Sequence, residues 1–150
     1  VAGEPYRESI VIDAEPDEVF EYFTRPERLI EWMGDRAVLD PQPDGEFTLF
    51  FDDRCVRGRY IEVDRPHRLV ISWGRQGSQD LPPGRSTLEV LFSREPDGTR
   101  VTLCHHGLPE SEARRHALGW AHYLGRLEDL CAGRPVATHR VPPELTEAAD

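Results

Sequence analysis

The stretch from Ala113 to Cys131 constrains this chain more than any other, because its apolar residues recur at helical spacing over about five turns. At about 100° per residue, Ala113, Ala117, Trp120, Ala121, Leu124, Leu127 and Cys131 fall in one arc, with Arg115, His122, Arg126 and Asp129 opposite. The spacing predicts an amphipathic helix. His116, Tyr123 and Leu130 widen its apolar side to nearly half the cylinder. That is more than one neighbouring helix covers, so a sheet is the expected partner. Pro109 before it, and Gly133 and Pro135 after it, are start and stop signals.

Upstream, Tyr6 to Ile12 alternates as a first strand. Pro16 opens a short helix with Val19, Phe20 and Phe23 on its core face. Thr24-Arg25-Pro26-Glu27 has the spacing of a capping box for a second one, with Leu29, Ile30, Trp32 and Met33 apolar and Gly34 to end it. From Val38 a period of two, broken by Pro-Asp-Gly and Arg-Pro-His turns, predicts antiparallel strands at about 46–51, 54–63, 68–73, 86–94 and 99–106. Phe47, Leu49 and Phe51 share a face, as do Leu69, Ile71 and Trp73, and Val101, Leu103 and His105. The segment 74–84 has the length of a lid loop. Together these predict an α+β domain over 1–133: a curved antiparallel sheet of about six or seven strands wrapped around the long C-terminal helix, with two short helices after strand one. Residues 134–150 read as a loosely packed, proline-containing acidic tail.

Charge narrows the partners. The 28 acidic residues against 18 basic ones leave a net charge of −10, which repels phosphate backbones and anionic lipid heads, so neither nucleic acid nor membrane is an expected partner. Every basic residue is arginine, which excludes lysine Schiff-base chemistry and fits a GC-rich bacterial genome. The three cysteines, Cys55, Cys104 and Cys131, form no Cys-x-x-Cys pair and suit a reducing cytoplasm. The N-terminal dozen residues carry Glu4, Arg7 and Glu8 and show neither a signal peptide nor a membrane anchor.

Cys104-His105-His106, with His116 and His122 downstream, gathers metal-ligating side chains. Adjacent strand residues point to opposite faces, so His105 and His106 cannot hold one ion, and His122 lies on the polar side of its helix. No metal site and no cofactor are expected. His105 reads either as a core histidine bonded to a backbone carbonyl or as a polar anchor for a ligand. Strand parity sends Glu89 to solvent, whereas Glu62 shares parity with Val56, Gly58 and Tyr60 and stays open as a buried acid or base. Nucleophile elbow, glycine-rich phosphate loop and zinc-protease helix are all lacking, so no catalytic residue is assigned.

These same residues resemble a known family. Phe23-Thr24-Arg25-Pro26-Glu27-Arg28-Leu29-Ile30-Glu31-Trp32-Met33-Gly34 is similar to the F-T-x-P-E-x-L-x-x-W-W-G segment of the heat-shock-protein-90 ATPase activator-like family, within the START-like, or SRPBCC, superfamily. Gly58-x-Tyr60-x-Glu62 with Pro66, Leu69 and Trp73 resembles its central strand pair. Thr99 to Leu108 resembles its last strand, and Gly119-Trp120-x-x-Tyr123-Leu124-x-x-Leu127-x-x-Leu130-x-x-Gly133 its closing helix. Two residues depart from the pattern: Met33 stands for the second tryptophan, and Leu108 for a frequent aromatic.

The resemblance implies the helix-grip (Bet-v-type) fold and a small, largely apolar or aromatic ligand held between sheet and C-terminal helix. Trp32, Met33, Phe47, Tyr60, Trp73, His105, His116, Trp120, Tyr123 and Leu124 are the expected binding residues. An enzyme of the polyketide cyclase, aromatase or hydrolase kind using the same cavity is the alternative, and a chaperone-associated or regulatory interaction module a third. Chaperone contact is not expected without the family co-chaperones' separate N-terminal domain, and a homodimer stays open.

Overall fold

A computed structural model describes residues 5–136. Seven strands form one curved antiparallel sheet: β1 (Tyr6–Ile12), β2 (Arg36–Leu39), β3 (Glu46–Phe51), β4 (Arg54–Asp64), β5 (Arg68–Trp73), β6 (Ser86–Glu95) and β7 (Gly98–His106). Their order across the sheet is β1-β7-β6-β5-β4-β3-β2. The meander therefore runs from β2 to β7, and β1 closes the far edge against β7, with Tyr6 opposite His105 and Ile12 opposite Thr99. Helices α1 (Pro16–Thr24) and α2 (Pro26–Leu29) follow β1, and α3 (Glu110–Cys131) is the long helix that the sheet grips. It starts three residues before the expected Ala113, because Pro109, itself extended, takes the N-cap position. Gly133 stops it in the left-handed region at φ 74°.

One buried cluster joins the layers: Phe20 and Phe23 of α1, Trp32 in the turn after α2, Phe47, Leu69, Ile71, Trp73, Leu88, Val90, Phe92, Val101 and Leu103 of the inner sheet face, and Trp120, Leu124 and Leu127 of α3. Its apolar side chains each contribute about 1.5–3 kcal/mol on burial. The aromatic rings meet edge-on, as in Phe20–Phe92 at 5.2 Å and Phe23–Trp32 at 5.0 Å.

Three local expectations are corrected, and the position of Glu62, left open, is settled. Thr24 does not cap α2; it is the last residue of α1, and its hydroxyl donates to the Phe20 carbonyl one turn back at 3.2 Å. A short strand, β2, precedes the predicted meander and pairs with β3. A bulge between Tyr60 and Glu62 breaks the parity of β4, so Tyr60 is fully buried while Glu62 turns to the outer face and bonds Arg68. Finally, α3 is rotated about its axis from the predicted orientation. Its buried side runs through Glu112, Arg115, Trp120, Tyr123, Leu124, Arg126 and Leu127, whereas Ala113 and Ala121 are exposed. The expected acidic tail, 134–150, lies mostly outside the described residues; within them, Arg134 reaches back to the Asp129 carboxylate at 2.9 Å.

Candidate functional site

Between α3 and the β3–β5 side of the sheet lies a cavity of about 100 Å³. Met33, Phe51, Val56, Trp73 and Trp120 make its apolar wall, and Gly119 of α3 also lines it. Arg54, Arg75, Arg115, His116 and Tyr123 supply its polar lining. A wider polar depression of about 570 Å³, edged by the loop 76–80, continues from it and shares Arg54, Arg75 and Arg115.

The two inner histidines are committed to the frame. The Trp120 indole N–H donates to His105 Nδ1 at 3.0 Å, so the His105 proton sits on Nε2 and faces the Ser86 hydroxyl at 2.9 Å. Ser86 Oγ in turn donates to the Trp73 carbonyl at 2.9 Å. His116 takes the other tautomer, accepting from the Trp73 indole at Nε2 (3.2 Å) and donating from Nδ1 to the Glu112 carbonyl (3.1 Å). Their rings meet at right angles, 5.1 Å between centres. Burial pushes the His116 pKa down to about 4, and burial together with neighbouring His116 holds His105 well below its ordinary value. Both are therefore neutral at pH 7, with each ring nitrogen already paired.

Glu112 is held between two guanidinium groups. Arg75 grips it with two bonds (2.9 and 3.2 Å), and Arg115 Nη1 reaches both oxygens at 2.9 and 3.1 Å. Burial raises the Glu112 pKa, but the two arginines outweigh it and keep the carboxyl below the ordinary value. Two residues that line the cavity each carry a buried polar atom without a hydrogen-bond partner among the described residues: Arg115 at Nε and Tyr123 at its hydroxyl. Such groups cost about 1–3 kcal/mol each.

Residues 13–132 match the family model of the Activator of Hsp90 ATPase homolog 1-like protein. The chain belongs to that family. Among solved structures, an Activator of Hsp90 ATPase homolog 1-like protein from Rhizobium etli is 39% identical, with 89% of this chain and 85% of that one covered and a TM-score of 0.69. DynU16, from the dynemicin biosynthetic locus, shares the fold at a TM-score of 0.76 and 23% identity, over 91% of this chain and 51% of its own. The Uncharacterized protein C1711.08 of Schizosaccharomyces pombe is 26% identical over 106 residues, 70% of this chain. The chain thus spans about half of DynU16 and 30% of the yeast protein.

In this member of the Activator of Hsp90 ATPase homolog 1-like family, five of the ten residues expected to bind ligand line the cavity: Met33, Trp73, His116, Trp120 and Tyr123. The Met33 departure from the family pattern therefore falls on the cavity wall. The other five stand behind it. Trp32 donates its indole N–H to the Tyr22 carbonyl, Tyr60 donates to the Phe23 carbonyl, and Phe47, His105 and Leu124 are core. Arg54, Arg75 and Arg115 were legible only as charges, and nothing in the periodicity marks them as cavity residues; Phe51 and Val56 do carry a signal, as inner-face strand positions.

On the outer sheet face, Glu89, Cys104 and His106 bring one ligand atom each within 4.8 Å of one another. Arg68 already takes the Glu89 carboxylate with bonds of 2.8 and 3.1 Å, and burial raises the Cys104 thiol pKa, so the group reads as an ion-pair network. The loop 74–84 is tucked in by the fully buried Leu81 and by Arg75 on Glu112.

Proposed function

We propose that this domain binds a small apolar or aromatic molecule in the cavity between α3 and the sheet. The observation that carries the reading is the pair Trp73 and Trp120, 5.2 Å apart between ring centres, which together face a cavity bounded by Met33, Phe51 and Val56. A cavity of about 100 Å³ is smaller than the ~150 Å³ that holds benzene, so it takes a short alkyl group outright and a single ring by extending into the adjoining polar depression of about 570 Å³. Binding is favoured over catalysis because His116 has both nitrogens engaged and Glu112 is neutralised by two arginines, which leaves no free general base at the cavity among the described residues. The three free cysteines support a reducing, cytoplasmic setting, and no helix among the described residues is long and apolar enough to cross a membrane.

The test is a screen of single-ring and short-chain compounds followed by tryptophan fluorescence and thermal melting. A ligand that binds only the folded state raises the melting temperature according to RT ln(1 + [L]/Kd) and alters Trp73 and Trp120 emission. A screen in which no compound does either, with Gly119→Leu behaving like the parent, rejects the pocket; chemical conversion of a hit turns the reading to an enzyme.

A further inference from the structure

The charged side chains that line the apolar cavity are all cationic. Among the described residues Arg54, Arg75 and Arg115 line it and no carboxylate does, in a chain whose net charge is −10. Their counter-charges sit outside it: Glu112 serves Arg75 and Arg115 together, and the exposed Asp53 stands 3.9 Å from Arg54. One carboxylate thus answers two guanidinium groups, of which Arg115 is 6% exposed. Arg115 spends Nη1 on Glu112, and its Nε–H is buried without an acceptor among the described residues. Arg54 and Arg75 both repel it. A buried, under-neutralised guanidinium with an unused N–H, beside an aromatic wall, is the arrangement that selects an anionic acceptor on an aromatic body.

We propose that the ligand is a single-ring aryl or arylalkyl carboxylate, its ring against Trp73 and Trp120 and its carboxylate on the Arg115 and Arg54 guanidinium groups. The proposal rests on the ligand-pocket reading above and adds the charge of the ligand. The same geometry explains why an acidic protein keeps arginines at an apolar pocket: Arg54, at the wider polar depression, receives the acid first, and Arg115 holds it once the ring is seated.

The experiment compares 3-phenylpropionate with its neutral isostere 3-phenylpropanamide by calorimetric titration, on the parent and on Arg115→Met, Arg54→Gln and Gly119→Leu. The carboxylate is expected to bind at least tenfold tighter than the amide and to weaken as salt is raised. Arg115→Met should abolish the preference, and Arg54→Gln, at a quarter-exposed side chain, should reduce it even if Arg115→Met does not fold. Gly119→Leu, which fills the cavity and keeps the arginines, should stop both probes. Equal affinity for acid and amide overturns the anionic ligand while the pocket stands. A carboxylate preference that survives both arginine variants, or Gly119→Leu, places the anion elsewhere and overturns it too. Binding of neither probe by the folded parent rejects both readings.

Discussion

Trp120 on α3 donates its indole proton to Nδ1 of His105 on β7 at 3.0 Å, and this bond joins the gripping helix to the inner face of the sheet. It also fixes the tautomer of His105, which passes the order on through Ser86 to the carbonyl of Trp73. The wall of the cavity and the lock of the fold are therefore the same chain of groups.

Removing Trp120 should act on both. Trp120→Ala is expected to cost about 3–5 kcal/mol through the cavity it leaves. Trp120→Phe, which restores most of the volume, should still cost about 1–3 kcal/mol, because His105 Nδ1 is then a buried acceptor without a donor. Urea denaturation measures both; a loss under 1 kcal/mol for the alanine variant would remove α3 from the centre of the fold.

Stability should fall on mild acidification, before the carboxylates titrate. The His116 pKa is about 4 in the folded protein against an ordinary 6.5. Below pH 6.5 the unfolded chain takes up a proton that the folded one refuses, so stability is full above that pH and is lost as pH drops towards 4. The loss from His116 is about 3 kcal/mol, and His105, shifted the same way, adds to it. Denaturation curves at half-unit steps from pH 7.5 to 4 should show this slope, and His116→Gln should flatten it.

Glu112→Gln should be strongly destabilising, by about 3–5 kcal/mol, since it leaves the buried Arg115 and the half-buried Arg75 facing each other without their shared carboxylate. Adding Arg75→Met to the same chain should recover part of the loss in a double-mutant cycle. Additive effects would mean that the three groups do not act as a unit.

Tyr123→Phe should go the other way. Its hydroxyl is buried on the cavity wall with no partner among the described residues, and burial raises its pKa to about 12, so it stays a neutral phenol. Deleting it should leave stability unchanged or raise it by about 1 kcal/mol. A clear destabilisation in thermal melts would reveal a partner that the protein supplies in solution.

The sequence by itself determined most of what neighbours along the chain govern, the cap at Thr24 and the short β2 excepted. Proline and glycine signals bounded the elements, the period of two marked β3 to β7, and the 3.6-residue period marked α3. Apolar inner-face residues such as Leu69, Ile71 and Trp73 were legible for the same reason: alternation needs no partner to be read. Four motifs in order gave the family. Tertiary structure decided what depends on groups far apart in sequence. The bulge at Tyr60 and Glu62, set by pairing with β5, turned Glu62 outward against its parity. Partners on other elements set the rotation of α3. Glu112 binds Arg75 from the loop after β5, and Arg126 donates to the Trp32 carbonyl at 2.7 Å, so a helix face that reads as polar is drawn inward. A charge can be buried only where its counter-group or acceptor waits. That condition is met by positions 37 and 94 residues away along the chain, where no local pattern reaches.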